Sequence, residues 1–335
     1  MTDVVRVGMI GAGGIARTHT ANLQGFGGVR IAAVMDPALE RAEALAAECG
    51  ARAFEDLDAV LEGVDVVYVC SPPTFHRAQV EAVAAAGTHV YLEKPIATTL
   101  EGGRAIVAAL SASPGRSMVG FNNRFRPAFR RWRELIRGGE LGSALAAWIL
   151  RMAPSTPTPN ANWRTTPGLL CGITIESASH DIDLVRWALG EIGSVSGSTA
   201  SSRPELEGFD DTLSAVLRVE GGPAVTFSVS WASAISTSSR GFVGTGGGAM
   251  LVGPDMWTVT ELRWARSGQP ETVEPIDPAE GADLGYRAAS EHFIACIREG
   301  RDPVVTVHDG LAALEVSLAL LASATSGGQN VHVAD

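Results

Sequence analysis

The first 36 residues constrain the fold of this chain more than any other segment. An apolar run, Val5–Ile10, leads into a glycine-rich turn, a helical pattern and a second apolar run that ends at Asp36. The turn consists of Gly11, Ala12, Gly13, Gly14, Ile15 and Ala16. This is the G-x-G-x-x-G/A pattern, in which the first glycine permits a tight turn and the second lets a pyrophosphate approach the backbone. The segment therefore predicts a parallel βαβ unit that binds a dinucleotide.

The acidic residue at the end of the second run bears on which dinucleotide binds. A carboxylate at Asp36 can accept hydrogen bonds from the adenosine ribose hydroxyls, and its charge would repel a 2′-phosphate. Pro37 follows, where an arginine or serine often holds that phosphate. We therefore predict NAD as the cofactor. Arg41, about one helical turn further on, leaves NADP as an alternative, and Asp36 could also cap the helix after Pro37 without losing the ribose contact.

The pattern of the chain changes after residue 122. Between Val5 and Phe121, short runs that are apolar at nearly every position alternate with helical patterns, as in a parallel sheet covered by helices on both faces. Beyond that, longer strand-like runs lie at 144–152, 194–202, 212–219 and 224–231. We predict an α/β protein with an N-terminal Rossmann doubly wound parallel sheet in residues 1–122. Residues 123–335 form a C-terminal α/β domain with a large, mostly antiparallel open sheet, interrupted by one helix from about 174 to 189.

Composition excludes several classes of partner. The chain has 335 residues with 26 basic and 37 acidic side chains, and a net charge of −11 repels nucleic acid and anionic membranes. Its four cysteines show no C-x-x-C spacing, so we expect neither a structural metal site nor a disulfide framework. We predict a cytoplasmic protein with no metal, no nucleic-acid partner and no membrane partner.

Two short motifs follow later strands, at the edge of the sheet where ligands of open α/β folds collect. One runs from Ser71 to His76, and the other is Glu93-Lys94-Pro95. The proline holds the backbone of Lys94 away from helical geometry, and an ammonium group there can stabilise an alkoxide as it develops. A single lysine is more often merely solvated, so Lys94 alone does not decide the function.

A histidine with an acid one helical turn away adds to that motif. Glu176 and His180 are four residues apart within the predicted helix and would share one of its faces. A histidine beside a carboxylate suits a general base whose charge is controlled by its neighbour. An exposed ion pair explains the same spacing about equally well.

With Gly120–Pro127, Trp163-Arg164 and Asp309–Leu311, these motifs make the chain resemble the glucose-fructose oxidoreductase, inositol dehydrogenase and rhizopine-catabolism (Gfo/Idh/MocA) family over essentially its whole length. The lysine triplet and the histidine helix are the most specific part of the resemblance. It implies oxidation or reduction of a secondary alcohol or ketone on a sugar, an inositol or a sugar derivative. It also implies a homodimer or homotetramer built through the open sheet.

The resemblance also assigns roles to residues. Lys94 and His180 match the catalytic lysine and histidine, and Glu176 stands where many members have aspartate. The predicted cofactor-binding residues are Gly11, Gly13, Gly14, Ile15, Ala16, Asp36, Ser71, Pro72, His76, Glu93 and Arg124. The predicted substrate-binding residues are Asn122, Trp163, Arg164 and Asp183. The chain departs from the family pattern before the histidine helix, where only Gly172 remains of a glycine-rich run.

We therefore predict an NAD-dependent oxidoreductase acting on CH-OH groups. Two alternatives belong to other classes of function. One is a sensor or co-repressor that binds NAD(P) without turnover, which the presence of both Lys94 and His180 disfavours. The other is an NAD-dependent glycosidase that accumulates no reduced cofactor.

Overall fold

The computed structural model describes residues 4–157, 163–166, 168–277, 279 and 283–333. The chain divides into two compact units: Met1–Asn122 with Tyr286–Leu314, and Asn123–Gly285 with Glu315–Asp335. The segment Tyr286–Leu314 thus packs with the first unit, although it lies within the stretch that the sequence assigns to the second domain. Residues 158–162 and 167, within a proline-rich stretch of sequence after Arg151, lie outside the described residues.

The first unit is built on six parallel strands in the order β3-β2-β1-β4-β5-β6. The strands are β1 (Val5–Ile10), β2 (Val29–Met35), β3 (Arg52–Phe54), β4 (Val66–Val69), β5 (His89–Leu92) and β6 (Ser117–Val119). The helices are α1 (Gly14–Leu23), α2 (Leu39–Cys49), α3 (Leu57–Leu61), α4 (His76–Ala85) and α5 (Leu100–Ala112). The strand order reverses between β1 and β4, and the predicted doubly wound Rossmann sheet is confirmed.

The sequence shows why these strands are central. All four residues of β4 are buried, as are Met9 and Ile10 in β1, because helices cover both faces of the sheet. Gly50 closes α2 in the left-handed conformation with φ at +69°, a conformation that glycine adopts without a steric penalty.

The second unit is built on nine strands in the order β14-β13-β12-β11-β7-β10-β9-β8-β15. Its strands are β7 (Ala144–Pro154), β8 (Ile192–Ala200), β9 (Thr212–Val219), β10 (Ala224–Ser230), β11 (Ala232–Gly244), β12 (Gly247–Gly253), β13 (Glu261–Arg266), β14 (Thr272–Pro275) and β15 (Val331–His332). Among the described strands, β7 and β10 pair in parallel and the other pairs are antiparallel. The predicted mostly antiparallel sheet is confirmed.

Helices α6 (Pro127–Arg137), α7 (Ile173–Glu176) and α8 (Ser179–Leu189) belong to this unit. The prediction of a single helix from about 174 to 189 was wrong, because the chain turns between Glu176 and Ser179. The Ile173 carbonyl accepts from both Ser177 N and Ala178 N, and the Ser179 hydroxyl donates to the Glu176 carbonyl at 2.8 Å. Glu176 thus ends one helix, and His180 lies in the first turn of the next.

Two helices close the chain, α9 (Tyr286–Glu299) and α10 (Val307–Thr325). Within the described residues, α10 is the one helix long and apolar enough to span a membrane, and half of it is buried in the structure, as in many core helices of soluble proteins.

Candidate active site

The glycine turn after β1 leaves an open cradle at the start of α1. Gly11 has φ at +91°, and a Cβ there would come within 3.0 Å of the backbone of Cys70 and Ser71. A Cβ on Gly13 or Gly14 would instead meet nothing within 4 Å. Gly13 precedes α1 without a side-chain cap, and the first turn carries no acidic residue. The amide groups at the helix start can therefore receive an anion such as a pyrophosphate.

Asp36 fastens this turn to the next helix. Its Oδ2 accepts from the Ala12 amide at 3.0 Å, and its Oδ1 accepts from the Ala38 amide at 3.0 Å. Each carboxylate oxygen retains acceptor capacity for a ribose hydroxyl. The structural and ribose-binding roles foreseen for Asp36 are thus compatible, and the cradle with its acidic rim fits NAD. Ile15 and Ala16 lie in the first turn of α1, and Ala16 is fully buried where a larger side chain would separate helix and sheet.

The Ser71–His76 motif forms a short 3-10 turn after Pro72, followed directly by α4. His76 is buried: its Nε2 lies 2.9 Å from the Ser71 carbonyl oxygen and its Nδ1 lies 3.2 Å from the Ile96 carbonyl oxygen. Burial lowers the pKa of His76. The histidine therefore braces the Ser71 loop against the loop that follows Lys94.

Among the described residues of the first unit, Glu93 is the second buried acid beside Asp36, and its carboxylate turns inward. Oε1 lies 2.8 Å from His19 Nε2, and Oε2 accepts from the backbone amide of Lys94 at 3.2 Å. Gly120 provides the space, because a Cβ there would lie 3.0 Å from Oε1. Sequence reasoning missed His19, although Ala16, His19, Thr20 and Leu23 form the buried face of α1 at helical spacing.

Lys94 itself is the only lysine among the 335 residues; the other 25 of the 26 basic side chains are arginine. It follows β5, which lies next to β4 in the sheet, and β4 lies next to β1. Lys94 and the glycine turn therefore leave the same carboxyl edge of one parallel sheet, where ligands of this architecture bind. All other basic side chains counted here are arginines, so Lys94 alone supplies a compact ammonium group.

In the second unit, two predicted site residues contact each other. From the sequence, Arg124 is assigned to the cofactor and Asp183 to the substrate. Arg124 Nε and NH2 donate to Asp183 Oδ2 and Oδ1 at 2.9 and 2.6 Å, and both side chains are buried. Such a two-point pair fixes both planes. Asn122 is also buried, at the start of a 3-10 turn that leads to Arg124.

Glu176 and Arg164, two residues predicted for the site with separate roles, also pair with each other. Arg164 NH2 donates to Glu176 Oε1 at 2.7 Å, and its guanidinium lies over the Trp163 ring at 4.6 Å. His180 is 4% exposed, and its ring meets Trp257 edge-on, with the centroids 6.1 Å apart. Trp257 was not foreseen.

A buried cluster of charges supports His180. Asp181 is completely buried between Arg151 and Arg240; Arg240 Nε donates to its Oδ1 at 2.8 Å, and Arg151 Nε pairs with its Oδ2. Arg151 also donates to the Ser177 carbonyl at 2.8 Å. Removing either arginine would leave a buried charge short of a partner. The signal that sequence reasoning missed is an arginine at an inward position of a strand: Arg151 in β7 and Arg240 in β11.

Gly172, the glycine retained before the histidine helix, has a steric explanation. A Cβ there would lie 1.9 Å from Asp210 Oδ1. Asp210 in turn accepts from the amide and the hydroxyl of Thr174, at 3.0 and 2.5 Å, and so caps α7. Burial raises the pKa of Asp210 to about 6, against the opposing effect of the Thr174 hydrogen bonds.

Within the part of the chain that the structure describes, no group of three or more His, Cys, Asp or Glu side chains could hold a metal ion.

Both parts of the chain match known protein families. Residues 5–121 match a family model described as an oxidoreductase family with an NAD-binding Rossmann fold, and residues 129–250 match the GFO/IDH/MocA C-terminal domain. The chain is 30% identical over 327 residues to the inositol 2-dehydrogenase of Rhizobium meliloti (strain 1021), covering 95% of this chain and 96% of that protein.

Two further relatives are similar over nearly their full lengths. The scyllo-inositol 2-dehydrogenase (NAD(+)) of Bacillus subtilis (strain 168) is 29% identical, with 98% of this chain and 96% of the relative covered. The solved structure of the WlbA dehydrogenase from Bordetella pertussis, in complex with NADH and UDP-GlcNAcA, superposes with a TM-score of 0.88 at 25% identity and covers 99% of both chains.

Proposed function

Because the chain belongs to the GFO/IDH/MocA family of NAD-binding oxidoreductases, we propose that its substrate is a secondary alcohol, or the corresponding ketone, of a cyclitol, a sugar or a sugar derivative. The observation that carries this proposal is that Lys94 and the NAD cradle leave the same edge of one sheet. The similar proteins, two inositol dehydrogenases and a dehydrogenase solved with NADH and UDP-GlcNAcA, favour this substrate class.

We assign the parts of NAD to residues of the first unit and to Arg124. Gly11, Gly13, Gly14, Ile15 and Ala16 would receive the pyrophosphate at the start of α1, and Asp36 would accept from the adenosine ribose. Ser71, Pro72, His76, Glu93 and Arg124 complete the proposed site. When bound, the nicotinamide accepts or donates the hydride.

The chain itself would handle the hydroxyl proton. We assign Lys94 to hydrogen-bond the substrate oxygen and stabilise its negative charge, and His180 to hold the proton that leaves the hydroxyl. Glu176, held by Arg164 at 2.7 Å, would stabilise the charged form of His180. Asn122, Trp163, Arg164 and Asp183 would orient the substrate.

We further propose that the protein is cytoplasmic and that two copies associate through the open sheet. Alternate positions of β7 support the association: Trp148, Leu150 and Met152 are half-buried and alternate with buried positions, and Leu145 near the start of the strand is 60% exposed. A row of partly exposed apolar side chains on a sheet favours a protein partner. Sedimentation of the wild type against Leu145→Lys tests this, with a monomeric wild type as the contrary result.

A substrate screen tests the proposed activity. Inositols, sugars, sugar acids and their keto forms are offered with NAD(H) and NADP(H), and nicotinamide absorbance is followed for the wild type and Lys94→Ala. We expect NAD-dependent turnover that Lys94→Ala abolishes. NADH binding without turnover on any compound would instead indicate a sensor, and release of an aglycone without net NADH would indicate a glycosidase.

A further inference from the structure

A completely buried histidine links the helix of the NAD cradle to the segment that carries the lysine. His19 lies within α1, which begins at Gly14, and no part of its side chain is exposed. Its Nε2 reaches across to Glu93 Oε1 at 2.8 Å. None of the contacts proposed for NAD or substrate uses His19.

Glu93 transmits this contact to Lys94. Its second oxygen accepts from the Lys94 backbone amide at 3.2 Å, so the two carboxylate oxygens hold α1 on one side and the Lys94 backbone on the other. Glu93 is only 5% exposed. Because water cannot replace a lost donor at such a depth, removal of the His19 N–H would leave a buried carboxylate oxygen without its donor and force the carboxylate to move.

The surroundings of His19 fix the direction of its hydrogen bond. Its Nδ1 is buried and has no hydrogen-bond partner among the described residues. The imidazole packs against the rings of Tyr68, Tyr91 and Tyr286, with centroids 5.1, 4.9 and 5.5 Å away. Nε2 is therefore the nitrogen that donates, and the aromatic rings hold it toward Glu93.

We propose that His19 is a positioning residue for Lys94, acting through Glu93; this inference rests on the catalytic role assigned to Lys94. The His19–Glu93 pair ties the position of the ammonium group to the helix whose start receives the cofactor. Because a shift of about 1 Å in a reacting group can slow catalysis roughly 100-fold, loss of the pair should lower kcat about 10- to 100-fold. The affinity for NADH should fall by a smaller factor than kcat, because Glu93 is one proposed cofactor residue among several and the hydrogen bonds of Asp36 do not involve His19.

Three substitutions of His19 separate this role from simple packing. Gln places an amide N–H close to the position of Nε2 and should keep the bond to Glu93. Asn stays polar but ends short of Glu93, and Leu fills the space without a donor. Thr20→Val is the matched control: Thr20 lies in the same helix, is 2% exposed, and its hydroxyl has no hydrogen-bond partner among the described residues.

The uniqueness of Lys94 gives a readout that does not depend on turnover. Reductive methylation with carbon-13 formaldehyde labels only Lys94 and the terminal amine, and a Lys94→Arg sample identifies the lysine resonance. We expect this resonance to shift in His19→Leu and His19→Asn, and to stay near its wild-type position in His19→Gln and Thr20→Val. The value of kcat should follow the same grouping. NADH affinity, followed by fluorescence, should change by a smaller factor than kcat in His19→Leu and His19→Asn.

Two results would overturn the proposal. In one, His19→Leu and His19→Asn match Thr20→Val in both kcat and the lysine resonance. In the other, His19→Gln is as impaired as His19→Leu, so that the donor to Glu93 is not the cause. Failure of the proposed function gives a different result. Lys94→Ala would then retain turnover, whereas the lysine resonance would still report whether His19 positions Lys94.

Discussion

Arg124 and Asp183 face each other through two hydrogen bonds of 2.9 and 2.6 Å in a buried part of the second unit. The sequence places one of them at the cofactor and the other at the substrate, yet each is the other's partner. A residue that binds ligand and also neutralises a buried charge cannot be replaced without a cost to stability.

This pair yields a prediction about folding stability. Asp183→Asn should lower the free energy of unfolding by about 3 to 5 kcal/mol, because the Arg124 charge loses this carboxylate. The double variant Arg124→Met/Asp183→Leu should recover much of that loss, since it removes both charges. Urea unfolding monitored by tryptophan fluorescence measures both. Equal losses in single and double variants would contradict the ion-pair explanation.

Lys94→Arg should inactivate the enzyme nearly as well as Lys94→Ala. The guanidinium is planar and larger, so it keeps the positive charge but cannot occupy the place of an ammonium donor. We expect kcat to fall about 100- to 1000-fold, the range for loss of a group that stabilises a developing oxyanion. Stopped-flow hydride transfer measures the fall, and NADH fluorescence serves as the control for cofactor binding. Substantial activity in Lys94→Arg would mean that charge alone suffices.

Asp36→Asn should weaken the preference for NAD over NADP by about tenfold or more, because it removes the charge that opposes a 2′-phosphate. The asparagine oxygen can still accept from one of the two amides that Asp36 now holds. Asn is therefore a milder change than Ala for the shape of the turn. The ratio of kcat/KM with the two cofactors is the measurement, and an unchanged ratio would remove Asp36 from cofactor selection.

Asp210 should make the protein less stable as the pH rises from about 4 to about 6. Burial raises its pKa in the folded state from 3.8 to about 6, so the folded protein binds a proton more tightly than the unfolded chain does. Its stabilising contribution is complete below the unfolded pKa and is lost as the pH rises through the folded pKa. The loss should be at most roughly 2 to 3 kcal/mol.

Asp210→Asn should abolish this loss, because an amide can accept from Thr174 without carrying a charge. Urea unfolding at about pH 4 and about pH 7 compares the two proteins. Asp58→Asn, at an exposed position of α3, is the control and should keep the wild-type pH dependence. An identical decline in Asp210→Asn would assign the effect to other groups.

The strands of the first unit could be predicted because nearly every residue in them is apolar, as β4 illustrates. Strand β11 could not, because its first half, Ala232–Ser239, is rich in serine and reads as a loop. Hydrogen bonds to β7 and β12 hold it in the sheet, and only the folded chain supplies those partners. In such strands, local composition is a weak guide.

The candidate site divides in the same way. The glycine turn, Asp36 and Lys94 could be predicted from the sequence because their chemistry depends on local spacing. The contact of His19 with Glu93 joins residues 74 positions apart, and that of Arg240 with Asp181 joins residues 59 apart. The local sequence indicates neither contact, except that each involves a polar residue at an inward-facing position.

The placement of Tyr286–Leu314 in the first unit has a consequence for synthesis of the protein. During translation, the six parallel strands leave the ribosome long before Phe293, whose ring packs against those of Tyr68 and Tyr91. The cofactor-binding unit therefore cannot complete its aromatic core during synthesis until the strands β7 to β14 have been made. Truncation after residue 122 would keep it permanently in that state, so the Rossmann sequence of this chain is not a module that can be cut out by its linear boundary.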